Sequence, residues 1–446
     1  MNKNNPELVG YNTDDSKMFG EASKVIFPKN IEDVKNAVIN SQDIIPRGAG
    51  KNIVGACIPT NSVVIDMKHM NSINFDFKSK KVSVEPGVTI KELNEKLKSI
   101  GYEFPIYSEG TIGGIIAMNS PSFLGGYGYV KEWIDNIEFI NGRGELVKFS
   151  KSEVGEICGL EGITGIITNV RLNVIPFSKR SASIFQSDNL EEVFITAKRL
   201  KLEKSTVMLR LYSPYFSKLL GFPEKYHIIV GFDNNNGMIK GEEYNKLFKK
   251  LKKDYYLMNK NNYPNTEDPN YLFEKIIEFA IYLDKLNVPY SGNLNLGIIY
   301  PYFNDDLIKK EVINMIERMN GKMGKYGVGL KRKKRVEDLQ KKIIKRIKLR
   351  HDPFLKFNKG KLIDIEEEVD KNTTEDIIDS PIKKEPLKVV IKDSPENNMN
   401  KFIENVEMED VGDVSIKDNL DDNKVDKDLM DKILFNKGDE DENWRI

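Results

Sequence analysis

Cysteine, histidine and long apolar runs are what this chain of 446 residues has least of. Its two cysteines and three histidines already exclude several chemistries. Cys57 and Cys158 are too few to ligate an iron–sulfur cluster, and neither lies in a Cys-x-x-Cys pair. His69, His227 and His351 are scattered, which argues against a two-histidine metal centre. No stretch is apolar for long enough to cross a membrane as a helix, so no transmembrane segment is expected. Residues 1–6 lack the apolar core of a signal peptide, and the expected location is cytoplasmic. No internal repeat is evident.

Net charge is also missing, but only in sum. The chain carries 68 basic and 68 acidic residues, of which residues 364–446 hold 26 acidic and 12 basic. That leaves 42 acidic and 56 basic residues before them, so a basic body carries an acidic tail. The tail is poor in aromatics and cannot bury enough apolar surface to offset the entropy of ordering, and disorder is expected. Two short apolar patches interrupt it, at 387–391 and 429–435, either as docking segments or as transient structure without a partner. The strongly basic stretch 331–350 has apolar residues at helical spacing, among them Leu339, Ile343 and Ile347. It reads as a helix with a solvated basic face, with an anionic partner surface or a dock for the tail as alternatives. Aromatic interleaving is absent, so nucleic acid is not an expected partner.

Glycine is abundant and clustered. Pro46-Arg47-Gly48-Ala49-Gly50-Lys51-Asn52 lies between the apolar runs Ile44-Ile45 and Val63-Val64-Ile65. It matches neither Gly-x-Gly-x-x-Gly nor a Walker loop. Such a loop can aim successive N–H groups at a phosphate, or it can be a tight hairpin. Thr111-Ile112-Gly113-Gly114 follows with Asn119, then Gly125-Gly126-Tyr127-Gly128, then Gly159-Leu160-Glu161-Gly162-Ile163-Thr164-Gly165 running into Ile167. Glycines this frequent weaken regular structure and call for a reason such as close backbone approach. They could line one cleft for an extended dinucleotide, or be ordinary loops.

The elements around them alternate. Residues 25–28 read as a strand, and Asn30 caps a helix to Val38 with Glu32 and Asp33 in its first turn. Residues 81–85 form a strand, and Thr89 with Glu92 makes a capping box for a helix over 90–100. Strands are expected at 134–140 and 145–149, joined by a turn at Asn141-Gly142. Further on come a helix at 190–202, strands at 207–212 and 227–232, and a helix at 244–251.

With these motifs in order, the chain resembles the FAD-binding oxidoreductases of the vanillyl-alcohol oxidase or PCMH type. Within them it is most like the catalytic subunit of glycolate oxidase and the D-2-hydroxyacid dehydrogenases. The match rests on Arg47-Gly48-Ala49-Gly50, Val84-Glu85-Pro86-Gly87-Val88-Thr89, Thr111 to Asn119, and the Glu161 segment ending at Thr168. A weaker match covers 351–362. The resemblance implies an α+β fold: a two-subdomain PCMH-type FAD-binding domain at 24–177 after an extension at 1–23. An α+β cap domain for substrate follows at 178–363, with the acidic tail at 364–446. It implies non-covalent FAD. Gly48, Ala49, Gly50 and Lys51, beside Arg47 and Asn52, would cradle the pyrophosphate. Thr111, Gly113, Gly114 and Asn119 would flank the cofactor. Glu161, Gly162, Gly165 and Ile167 would close on its adenine and ribitol side. Lys51 stands where the family has a small hydroxyl residue, and either contacts phosphate or points to solvent.

The resemblance also implies a site for oxidising a hydroxy acid or alcohol, and here the chain departs from it. Metal-dependent relatives carry His-x-Gly-Asp-Gly-Asn-x-His and Gly-Glu-His-Gly. The matching segments keep Gly292-Asn293-Leu294 but place Val288 and Asn295 at the histidines, and Lys325 and Tyr326 at the glutamate and basic histidine. No metal is therefore expected. The candidate catalytic residues are Asn293 and Asn295, with Lys325 as a carboxylate anchor and Tyr326 as a proton donor or acceptor. The functional expectation is an FAD-dependent oxidoreductase of the glycolate oxidase type acting on a small molecule. The alternative is a non-catalytic FAD-binding subunit or scaffold that works with an iron–sulfur electron-transfer partner.

Overall fold

A computed structural model of the chain describes residues 6–321 and 338–365. The expected disorder of the tail concerns residues almost wholly outside that range. Two sheet systems lie in the first half. Glu21–Ile26, Thr60–Asp66 and Ile44–Arg47 form a parallel sheet with Thr60–Asp66 in the middle. Since Ile44–Arg47 and Thr60–Asp66 run parallel, the glycine loop between them is a crossover. The hairpin alternative fails for that reason, because parallel neighbours cannot be joined by a tight turn. The second sheet is antiparallel, in the order Ile73–Asp76, Lys81–Val84, Ile166–Asn173, Ile134–Ile140, Leu146–Ser150.

The local signals explain these elements. Asn30 accepts from the Asp33 N–H at 2.9 Å and opens the helix Ile31–Ile39. Thr89 and Glu92 form the reciprocal capping box, with the Thr89 N–H on Glu92 Oε2 at 2.8 Å. That helix stops at Lys98, short of the expected Ile100, because Gly101 takes a left-handed φ of 81° and turns the chain away. Its apolar face, with Leu93 and Leu97, packs on Val82, Ile137 and Phe139 of the antiparallel sheet. Each such side chain, fully buried, contributes about 1.5–3 kcal/mol.

The second half is built on a seven-stranded sheet ordered Ile239–Lys240, Ser181–Ser187, Tyr226–Phe232, Thr206–Tyr212, Tyr290–Asn293, Ile298–Phe303, Asn265–Thr266. Side chains alternate along a strand, so its two faces have different company. Leu209, Leu211, Tyr290, Ile299 and Phe303 pack with the helices Leu190–Lys201, Phe273–Lys285 and Asp306–Arg318. Arg210, Tyr212, Ser291, Asn293, Tyr300 and Tyr302 are therefore left on the opposite face.

Where the halves meet, buried Arg180 forms a bidentate pair with buried Glu103. Tyr107 and Tyr127 lie on the same guanidinium at 3.0 and 3.1 Å. Gly126 docks alongside, its N–H on the Val207 carbonyl at 3.0 Å. A Cβ there would meet the Val207 backbone at 2.9 Å, which accounts for Gly126 in the third glycine cluster.

The helix Asp338–His351 and the segment after it return to the first half. The basic residues 331–337, with which that helix was expected to start, lie outside the described residues. Buried Lys348 pairs with Asp352 and donates to the carbonyls of Ile163 at 2.7 Å and Phe357 at 2.8 Å. Asp352 is fully buried. Asp352→Ala would leave an uncompensated buried ammonium, and a loss of about 3–5 kcal/mol is expected. Urea denaturation of the two proteins measures it. A chain ending at Ile365 keeps all of these contacts and should unfold like the full-length protein.

Candidate functional site

A cleft of about 720 Å³ runs between the glycine loops and the polar face of the seven-stranded sheet. Three of the four glycine clusters meet in it. Every residue expected to hold the cofactor lines it, from Arg47 through Asn52, Thr111 to Asn119, and Glu161 to Ile167. These residues do not all face it in the same way. The Arg47 guanidinium turns to the N-terminal segment, with Nη2 on the Thr13 carbonyl at 2.9 Å. Asn52 is used inside its own loop, where Oδ1 accepts from Val54 and Ala56. Lys51 stands half-exposed, 3.6 Å from Asp15.

What the loop offers is backbone. Among the described residues, the N–H groups of Ala49, Gly50, Lys51 and Asn52 donate to no protein group. Four successive free donors beside Gly50, whose φ is 67°, suit a pyrophosphate. The next two glycines divide their work. A Cβ on Gly113 would strike Pro86 Cβ at 2.8 Å, so Gly113 lets the helix Ile112–Ala117 pack on the preceding turn. A Cβ on Gly114 would meet only Thr111 Oγ1, at 3.4 Å, and otherwise open space. Asn119 and Glu161 hold left-handed φ values of 46° and 55°, which cost energy outside glycine and occur where surrounding structure enforces them. Asn358 Nδ2 secures the Glu161 carbonyl at 2.7 Å. Beneath the loop, Lys361 Nζ donates to the Ala56 carbonyl at 2.7 Å, and burial holds its ammonium down to about 8. The residues present thus fit an FAD bound mainly through main-chain donors.

The other wall comes from the seven-stranded sheet. Arg210 lies opposite Asn293 in the register, and Asn293 opposite Ile298. Tyr212, Ser291 and Tyr300 form the next row. Asp254, at the start of the helix Asp254–Lys260, lies over this face. Arg210 Nη2 donates to Asp254 Oδ2 at 2.7 Å, and the Tyr212 hydroxyl joins at 3.3 Å. Phe123 covers the guanidinium at 4.7 Å and Tyr300 at 6.0 Å. Burial pushes the Asp254 carboxyl up to about 6, against the pull of Arg210, Tyr212 and Ser291.

Of the expected catalytic residues, Asn293 lines the cleft and is buried. Asn295 packs beside Gly125. Val288 packs in the helix-side core. Lys325 and Tyr326 lie outside the described residues. None of the three histidines lines the cleft. Arg210 and Asp254 were not singled out from the sequence. One signal was available, since Arg210 interrupts a strand whose residues, Thr206–Tyr212, are all buried.

Residues 22–150 match the family model described as the FAD binding domain. That stretch is thus similar to an FAD-binding domain, as the resemblance implied, and FAD is the cofactor. The chain is 28% identical over 172 residues to the glycolate oxidase subunit GlcD of Bacillus subtilis, covering 34% of this chain and 37% of that one. It is 31% identical over 172 residues to a mitochondrial D-lactate dehydrogenase [cytochrome] of Arabidopsis thaliana, covering 34% and 30%. The chain thus spans about a third of the length of these curated relatives. Alkyldihydroxyacetonephosphate synthase shares the fold over 75% of each chain, with a TM-score of 0.52 and 16% identity.

Gly114→Val should abolish FAD binding, because its branches would enter the cleft, while Gly113→Ala should lower stability yet leave the flavin bound. The flavin absorbance of each purified variant, with its thermal melt, distinguishes the two outcomes.

Proposed function

We propose that this chain is an FAD-dependent oxidoreductase of the glycolate oxidase type, taking a hydride from the CH–OH group of a small hydroxy acid or alcohol. Residues 24–177 would hold FAD without a covalent bond, and residues 178–363 would serve as the substrate-side cap. The cleft carries this reading: it is continuous from the unpartnered N–H groups at 49–52 to the polar row of Arg210, Asn293 and Tyr300. Bound there, FAD supplies a two-electron acceptor. The backbone of Gly48–Asn52 would bind its phosphates, Gly113, Gly114 and Asn119 would flank it, and Glu161, Gly162, Gly165 and Ile167 would close it off. The names of the relatives, a glycolate oxidase subunit and a D-lactate dehydrogenase, support the substrate class. The polar face supports catalysis over a purely structural subunit, since buried polar side chains directed to a cleft are costly without a ligand to meet. Among the described residues, no helix is long and apolar enough to cross a membrane, and a cytoplasmic location belongs to this reading.

The purified protein should be yellow, and acid precipitation should release all of its flavin. Glycolate, D-lactate, D-2-hydroxyglutarate and simple polyols, added without oxygen, should include at least one that bleaches it. Colourless protein that takes up no added FAD would defeat the cofactor assignment, and a flavin that no compound bleaches would defeat the activity.

Dialysis against a chelator should leave that bleaching rate unchanged, as Val288, Asn295, Lys325 and Tyr326 replace the ligand and base residues. A loss restored by zinc or manganese would overturn the metal-free site.

A further inference from the structure

Arg210, Asp254 and Asn293 line the cleft, and Arg210 Nε, Asp254 Oδ1 and Asn293 Oδ1 are buried with no hydrogen-bond partner among the described residues. They come from two adjacent strands and the helix above them. Arg210 and Asn293 are register partners, and Asp254 is paired to Arg210.

A buried ion pair kept only for the fold has its remaining lone pairs satisfied, because a buried unsatisfied polar atom costs roughly 1–3 kcal/mol and more when charged. Arg180 and Glu103 leave Arg180 Nε without a partner but engage both carboxylate oxygens, so the contrast lies in the carboxylate. Asp254 differs. Its Oδ2 takes both Arg210 and Tyr212, the Ser291 hydroxyl adds a further pull on the carboxylate, and Oδ1 has no partner at hydrogen-bond geometry. The carboxylate is thus held by one oxygen, and the other is a buried acceptor without a partner on a residue that lines the cleft. Phe123 and Tyr300 fix the guanidinium from its faces, so the pair keeps its geometry without help from Oδ1.

We propose that Asp254 is the proton acceptor for the substrate hydroxyl, and that Arg210 positions it and balances its charge. This rests on the oxidoreductase reading. The substrate O–H bond breaks and its proton goes to Asp254 Oδ1. The same carbon loses hydride, with its electron pair, to FAD; the carbon–oxygen bond becomes a carbonyl, and a two-electron oxidation is balanced by a two-electron reduction.

The basicity suits the role. An ordinary aspartate is a weak acceptor, and burial raises this one to about 6, so it is ionised yet more basic than usual at neutral pH. The titratable and charged groups around it are Arg210 and Tyr212 on one strand, Tyr300 on another, and Lys252 at the end of the preceding helix, with the Ser291 hydroxyl between them. Among these, Asp254 is the group expected to change charge between pH 5 and 7. Below its pKa it already holds a proton, so turnover should fall as pH falls through about 6.

The test uses the FAD-loaded full chain. Without substrate, the flavin absorbance of wild type should show a single titration step near pH 6, absent in Asp254→Asn and kept in Tyr326→Phe. With the compound that bleaches wild type most readily, Asp254→Asn should slow anaerobic bleaching about a hundredfold to ten-thousandfold at unchanged flavin content. Asp254→Glu should recover part of the rate. A wild-type flavin spectrum with no step near pH 6 overturns the proposal, whether or not any compound bleaches it and whether or not the Asn variant folds. A step that survives in Asp254→Asn, or bleaching in that variant close to wild type, overturns it equally. Failure of every compound to bleach wild type defeats the oxidoreductase reading, and the spectral step still judges Asp254.

Discussion

Buried ammonium groups reaching for backbone carbonyls hold the cleft in shape. The glycine loops that line it have little regular structure of their own, and loops without ladders must find partners for their carbonyls elsewhere. The helix Asp338–His351 and the segment after it provide them. Lys348 takes Ile163, Lys356 takes Val38 at 2.9 Å, Asn358 takes Glu161 and Lys361 takes Ala56. The Ile44 N–H and carbonyl also pair with Lys356 and Asn358. Every one of these bonds joins residues far apart in sequence. With carbonyls drawn toward the closing segment, the N–H groups of the first loop are left free on the cleft side, which is the polarity an anion needs.

The seven-stranded sheet follows a related economy. One face is a helix-packed core of Leu209, Leu211 and Ile299, and the other carries Arg210, Asn293 and Tyr300. A single strand thus serves stability and chemistry at once, because its pleat sends alternate residues to opposite sides. Arg180 with Glu103 braces the seam between this sheet and the flavin loops, and Tyr107 belongs both to that brace and to the cleft wall. The distance from cofactor loops to polar row therefore depends on a buried charged pair.

Much of the flavin half was legible in the sequence. Capping residues Asn30 and Thr89 marked helix starts through bonds within three residues, and those bonds formed. The glycine clusters and their order carried the resemblance to FAD-binding proteins. Inside that frame, side-chain roles were not legible. Arg47 belongs to the motif, yet its guanidinium serves carbonyls more than thirty positions away. Asn52 looks like a ligand residue and instead ties its own loop. Whether Ile44–Arg47 and Thr60–Asp66 made a hairpin or a parallel crossover could not be read from the loop, because Glu21–Ile26 on the far side decides the strand order.

The substrate face was hidden for the same reason. Asp254 and Arg210 stand 44 positions apart, in a helix and a strand that no local pattern connects. The sequence by itself determined the helix caps, the alternating strands, the glycine clusters and the cofactor class, all of which depend on neighbours along the chain. Only the tertiary structure decided which donors stay free, which lysines are buried against carbonyls, and which carboxylate is buried against an arginine at the cleft. Those outcomes depend on burial and on partners brought together by sheet register, and neither exists until the chain has folded.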